Sequence, residues 1–492
     1  MATATGDDGK GSAGARASAL GAGELVGWLE GELGVRVTRI ERLPRWRASW
    51  LVDAERDGDV LRLYARAERG ADYTEPFALE HEHRVHDLLE GNGIPVPHVF
   101  GFDAEDRILV MSQLRGVQGL AHASSPGERR GLLLQYVDLL YRTQSISTDA
   151  LGRAGFSIPE DSRETALSAV FRIIDDEYAA TKSRPDPVAE FLRRWVRRNA
   201  PAEAVEPCFV AYDAGQFLHH EGKITGLIDF ELAHVGHPLM DLAALRLRDT
   251  MEPLGELRVA YRRYEELTGR PIEYDQLRYF EVAFGTITPL LFHPLYSDPG
   301  PETDLVTYLT WYVDNARYAF DVLAEIHELT LESIDLPRPA PSRSGPSFRH
   351  LVRSLAEARG RATASDLRRY GIEADVSRTD PSDDEDTNQF STYRARCAYR
   401  VARHLEQVDA IGDALEKANL EDIGQLTGIH PTSWREGDEV LERLVVAEDP
   451  ELDVPLIRLL ERRMQRLHRL LGPADSLVVR HPPLQPLPDR ER

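Results

Sequence analysis

Asp213, Gln216 and Asp229 are the residues whose types and spacing could do chemistry. The run Val210-Ala211-Tyr212-Asp213-Ala214-Gly215-Gln216-Phe217-Leu218 delivers a carboxylate and an amide, and a turn at Glu221-Gly222 follows. A second apolar run, Ile224 to Ile228, delivers Asp229. Two strand ends so arranged bring the three side chains close together. One carboxylate can orient a hydroxyl and accept its proton, while an amide oxygen and a second carboxylate hold magnesium against phosphate oxygens. That is equipment for moving a phosphoryl group.

The strip continues as Ile228-Asp229-Phe230-Glu231 and Gly236-His237-Pro238-Leu239-Met240-Asp241-Leu242-Ala243. In this it resembles the aminoglycoside phosphotransferase and choline kinase-like family, over roughly residues 25 to 330. The second half of the family's catalytic strip matches closely. In the first half Ala211-Tyr212 stands where His-Gly is usual, Gln216 where Asn is usual, and the loop before it is two residues shorter. The resemblance implies an α+β, two-lobed protein kinase-like fold with a small β-rich lobe and a large, mostly α lobe, here followed by a helical C-terminal domain. It implies ATP and Mg2+ as cofactors and a small-molecule hydroxyl as acceptor. Asp213 would be the catalytic base, and Gln216, Asp229 and Glu231 the metal-binding set. Gln216 could equally bond the loop backbone, and Asp241 would brace the lower lobe. The usual brace two positions before the base is lost at Ala211, and the Tyr212 hydroxyl could replace it. His237 would be structural and His234 a satisfied surface histidine. A module that binds nucleotide or a protein partner without catalysis is the alternative.

These residues need a nucleotide lobe to position them. Residues 24–34 show a one-faced apolar helix pattern, and Val35–Leu43, Ser49–Ala54 and Val60–Ala65 read as strands. A helix over Glu75–Gly91 is stopped by Gly91-Asn92-Gly93, and Val96–Phe102 and Ile108–Gln113 read as two more strands. The third strand carries Arg62, Tyr64 and Arg66 on one side. The resemblance implies a strand lysine paired with a helix glutamate to hold phosphates; no lysine lies in this region, so Arg62 would take that place with Glu82 as its helix partner and Glu80 as runner-up, unless these charges form a solvated face. The resemblance also implies that Met111 and Gln113 are the base-contacting link to the large lobe. Pro44-Arg45-Trp46-Arg47-Ala48-Ser49 has no glycine to bring backbone N–H groups to phosphates; Arg45 and Arg47 could supply charge instead. Ser125-Pro126-Gly127-Glu128 is a helix start with a capping box, running to about Gln144. Helices are expected near 165–183, 187–199, 252–268, 274–294 and 302–330. Phe280, Phe284, Phe292 and Trp311 would line the acceptor site or belong to the core.

The resulting domain map is a disordered tail at 1–22, a nucleotide-binding small lobe at 23–113 and the large lobe at 114–334. A Pro/Ser-rich linker at 335–347, a helical domain at 348–475 and a tail at 476–492 complete it. Within the helical domain, patterns near 348–370, 390–419 and 451–471 flank an acidic loop at Asp380–Asp386. The apolar stripe Leu456, Leu459, Leu460, Met464, Leu467 and Leu471 needs a partner surface, in its own bundle or in a homodimer. The net charge of −23 argues against nucleic acid and anionic membranes as partners. Two distant cysteines, Cys208 and Cys397, make neither a metal site nor a disulfide framework and suit a cytoplasmic setting. No apolar run approaches the length of a membrane span.

Overall fold

Alternating apolar and polar residues build an antiparallel sheet of five strands in the order β1-β2-β3-β5-β4. The strands are β1 Arg36–Arg42, β2 Ser49–Arg56, β3 Asp59–Ala67, β4 Val99–Asp103 and β5 Ile108–Ser112. The computed structural model describes residues 22–43, 47–69, 75–301, 303–340, 342–359, 385–473 and 476–491. The tail at 1–21, Arg45, and most of the expected acidic loop, 380–384, lie outside the described residues. Asp57 and Gly58 both have positive φ, 53° and 90°, as a two-residue β2–β3 hairpin turn requires.

The period of two in β3 decides what faces the site. Leu63, Ala65 and Ala67 pack with Trp50, Val52, Leu25 and Leu29 beneath the helix Ala22–Glu32. Tyr64 faces the other way, into a cluster with Leu79, Leu109 and Met111. Arg66 shares that face and so meets the helix Leu79–Gly91. This helix begins four residues later than its periodicity suggests. Pro76 disfavours helical geometry at Glu75, and the Glu75 carboxylate is used instead to accept from the Arg69 N–H at 3.3 Å.

The helix Pro126–Gln144 starts as its capping box predicts, with Ser125 Oγ accepting from the Glu128 N–H at 3.1 Å. Below it lie two small antiparallel sheets. In one, β7 Cys208–Val210 pairs with β10 His234–Gly236; in the other, β6 Val117–Gln118, β8 Phe217–His220 and β9 Lys223–Leu227 are neighbours. Gly116, at φ 119°, lets the chain cross this sheet: a Cβ there would stand 2.1 Å from the His219 carbonyl oxygen. The helix expected at 165–183 is broken at Ser168, which takes φ 60° between helices Ser162–Leu167 and Ala169–Thr181.

The compact units do not follow the expected domain map. One comprises residues up to Ile173, Ala200–Phe280 and the C-terminal segment from Leu484; the other comprises Ile174–Asn199 and Glu281–Pro483. The Pro/Ser-rich linker therefore marks a change in composition and not a packing boundary. Within the second unit, Phe191 stacks on Phe320, and Lys182 pairs with Glu442 at 2.8 Å. Helix Asp453–Leu470 buries Leu456, Leu459, Leu460 and Met464 there, so its apolar stripe is taken up by its own bundle. The helix Trp434–Val446 was not expected. Nor is 476–492 a loose tail. In the first unit, Leu487 is fully buried, Gln485 donates to Asp249 at 2.8 Å, and Asp489 pairs with Arg278 at 2.7 Å. Among the described residues no helix is long and apolar enough to cross a membrane. Cys208 is buried in β7, which pushes its thiol well above the ordinary range, and both cysteines are unbridged.

Candidate active site

The strip runs from β7 through the loop 211–216 into β8 and β9, reaches Asp229, and returns along β10. Three non-glycine residues in it, Tyr212, Glu221 and Asp229, sit at φ 76°, 50° and 65°. Such left-handed backbone is costly and persists where the surroundings enforce it. Asp241 supplies part of that enforcement: its Oδ1 accepts from the N–H groups of Ala211 at 2.9 Å and Tyr212 at 3.0 Å, and its Oδ2 from Gln144 at 2.8 Å. Burial pushes the Asp241 carboxyl up to about 6, against the pull of these donors. Asp241→Ala strands two backbone donors, and at about 1–3 kcal/mol per orphaned group it should cost about 3 kcal/mol in a thermal melt. Asp241→Asn retains an acceptor and should lose clearly less; equal losses would contradict this role. Tyr212 turns its buried ring edge-on to His234, 5.1 Å between centroids. His234 is thus a core histidine and not a surface one: it is 2% exposed, and burial lowers its pKa to about 4. His237 is buried as well and stacks on Phe280 at 4.3 Å. That makes Phe280 core, and Phe292 is likewise buried in the second unit.

Asp213 is one-third exposed at its side chain. Nη2 of Arg248 lies 2.8 Å from both of its oxygens, and Gln216 Nε2 donates to Oδ2 at 2.6 Å. Gln118 Nε2 in turn donates to Gln216 Oε1 at 2.8 Å. The Gln216 amide therefore has its nitrogen on the carboxylate and its oxygen on another amide. Reversing it would set oxygen against carboxylate, so this orientation is fixed by charge. Gln216 accordingly braces the loop in this structure, with its oxygen taken by Gln118. The carboxylate has about four acceptor positions; three donor contacts leave one, on Oδ1, toward solvent.

In the same unit, Glu82 takes Arg66 and not Arg62 as its partner, with Nη2 2.8 Å from Oε2 and both side chains almost fully buried. Arg62 lies four residues earlier on the same face of β3 and is exposed; the helix Leu79–Gly91 reaches β3 at Arg66. The pair is held by charge: Arg66 Nε and Nη2 have no aligned hydrogen-bond acceptor among the described residues. Arg66 Nη1 is also 3.6 Å from Asp229 Oδ1. Burial works against the Arg66 charge, but Glu82 and Asp229 hold it on. Burial, with Glu231 adding, pushes the Asp229 carboxyl above its usual range, and Arg66 opposes the shift. Glu231 is held low by Arg69, Arg47 and Arg66 against its own burial. Its oxygens meet Arg47 at 2.9 Å and Arg69 at 2.8 and 3.1 Å. A carboxylate so occupied clamps β3 and its neighbouring loop. Arg47 is buried, donates to the Ala67 carbonyl at 2.8 Å and pairs with Glu75 at 3.1 Å, so it does not point to solvent.

At the end of β5, Met111 is buried between Val99 and Tyr64 of the flanking strands. The Gln113 N–H donates to the Arg62 carbonyl at 2.9 Å, extending the β3–β5 ladder. The residues present fit a phosphate group at Arg66, whose buried N–H groups lack aligned acceptors. For a metal, Asp229 is the available ligand of the three expected, and no cluster of three or more His, Cys, Asp or Glu able to hold one occurs among the described residues. Sequence reasoning missed Arg69, Gln118 and Arg248. Only Arg248 left a signal: it follows Asp241 by seven residues, two helical turns on the same face.

Residues 40–280 match the family model described as phosphotransferase enzyme family. This segment is a domain of that family. Acyl-CoA dehydrogenase family member 11 of Rattus norvegicus is 27% identical over 187 residues, covering 34% of this chain and 23% of the relative. Its Homo sapiens counterpart is 24% identical over 185 residues, with the same coverage, 34% and 23%. The chain thus matches less than a quarter of the length of these curated relatives. The apoenzyme structure of macrolide 2'-phosphotransferase MphH from Brachybacterium faecium is 17% identical, covers 56% of this chain and 92% of its own, and has a TM-score of 0.40. The phosphotransferase domain, with its β-rich lobe and the helices that follow, has the protein kinase-like fold.

Proposed function

We propose that the phosphotransferase domain moves the γ-phosphoryl group of ATP, with magnesium, to a hydroxyl of a small molecule. One observation carries this reading: Arg66, with buried N–H groups lacking aligned acceptors, lies between Glu82 and a strained Asp229. Arg66 holds phosphate oxygens, and Glu82 keeps its guanidinium in place. Asp229 would hold magnesium, which supplies neutralising charge to the phosphates. Asp213 orients the acceptor hydroxyl through the open position on Oδ1. As the new O–P bond forms and the bond to the ADP oxygen breaks, the hydroxyl proton passes to Asp213. The net charge of −23 and the two unbridged cysteines support a small-molecule acceptor and a reducing cytoplasm.

The contacts of Arg248 and Gln216 on Asp213 favour a second reading, nucleotide binding without transfer. A screen of hydroxyl compounds with γ-phosphate-labelled ATP separates the two. The first reading expects label on an acceptor, with ADP released in equal amount. Binding of ATP with no label transferred and no ADP released would leave the second.

A further inference from the structure

We propose that Arg248 is the positioning residue of the Asp213 carboxylate, fixing it for proton acceptance in the transfer step; this rests on the phosphotransferase reading above. The segment Met240–Met251 grips the loop 211–216 at two points. Asp241 holds the backbone N–H groups of Ala211 and Tyr212. Seven residues on, Arg248 reaches the carboxylate itself, with Nη2 2.8 Å from each oxygen. Ala211 has no side chain that could brace the base. Gly215 makes room for Arg248: at φ 72° its absent Cβ would lie 3.4 Å from Arg248 Cγ, so a larger residue would be strained and would press on the arginine stem. Asp213 is the first cause of the raised Arg248 pKa, so the guanidinium is committed to this carboxylate.

The geometry also says why the clamp does not silence the base. One nitrogen straddles both oxygens, Gln216 adds a contact to Oδ2 alone, and Oδ1 keeps a lone pair directed outward. The carboxylate plane is fixed at the ångström level, and misplacement on that scale is what transfer tolerates least. Arg248 does not need to touch substrate for this role.

The test measures ADP release from magnesium-ATP with the acceptor found by the screen, or with water. Arg248→Ala should lower kcat about 100-fold, the typical cost of misplacing a reacting group by about 1 Å, and leave the KM for ATP within about twofold. Arg248→Lys should recover part of the loss, and added guanidinium at low millimolar concentration should restore part of the Arg248→Ala rate. In an Asp213→Asn background, Arg248→Ala should change kcat by less than about twofold, because residues that act as a unit are not additive. Should Arg248→Ala not fold, Arg248→Gln carries the same comparisons. A variant within twofold of an active parent overturns the inference alone, as do equal losses in both backgrounds without guanidinium rescue. A parent that turns over neither acceptor nor water overturns the transfer reading and this inference with it.

Discussion

Asp213→Ala should reduce phosphoryl transfer about 1,000-fold while magnesium-ATP binding stays within a few-fold of the parent. A positioned general base contributes about 10²–10⁴ in rate, and Asp213 is the acidic side chain of the loop 211–216 with an open acceptor position. The same change frees Gln216 and Arg248 from their shared partner, so a melting temperature should be recorded beside the rate. Asp213→Asn, with its amide oxygen in the Oδ2 position, keeps the Gln216 contact and one of the two Arg248 contacts but turns its NH2 toward Arg248 Nη2, so its melting temperature is recorded as well. A rate for either variant within tenfold of the parent would remove Asp213 from the chemistry.

Glu82→Ala should cost about as much stability as Asp241→Ala. Glu82 and Arg66 are both almost fully buried, 2.8 Å apart. Breaking a buried pair by deleting one partner typically costs about 3–5 kcal/mol, because the other charge is left buried. Arg66 keeps Asp229 at 3.6 Å and Glu231 at 3.7 Å, so the low end, about 3 kcal/mol, is expected. The pH dependence has a definite sign. Burial alone would raise the Glu82 carboxyl, but Arg66, with His86 and Arg47 adding, together more than offset it and hold it at about 2, below the 4.5 of the unfolded chain. A depressed folded-state value means stability that is full above 4.5 and is lost as pH falls toward 2. The gap in melting temperature between parent and Glu82→Ala should therefore narrow through that window. Glu82→Ala should also weaken nucleotide binding, since Arg66 loses its anchor. A gap that widens in acid would contradict the assignment.

What the sequence says of this candidate site is local to strand ends. Asp213 and Asp229 each follow an apolar run, and strand geometry delivers such residues to one edge. The capping box at Ser125 and the alternation in β3 are equally local. What was not legible depends on where separate elements cross. Arg62 and Arg66 share a face of β3, about 13 Å apart at 3.3 Å per residue, and periodicity cannot choose between them. The crossing of the helix Leu79–Gly91 does. Gln216 could be read as a metal ligand or as a loop brace because the loop says nothing of Gln118, which arrives on β6 from 98 residues away and donates to its oxygen. Glu231 looked available for the same reason, since Arg47 and Arg69 come from segments far from it in sequence. The Pro/Ser-rich stretch at 335–347 drew a domain boundary by composition, yet the helices on either side of it, Leu305–Ile326 and Asp453–Leu470, pack in one unit. Composition reports how stiff a segment is, not what it packs against.

Calorimetric titration of ATP into the full chain, with and without magnesium, and into Asp229→Ala, decides whether Asp229 holds magnesium against the nucleotide. Binding should be measurable in the parent, tighter with magnesium, and insensitive to magnesium once Asp229 is removed. ATP binding that is absent from the parent, or that keeps its magnesium dependence without Asp229, would contradict the account.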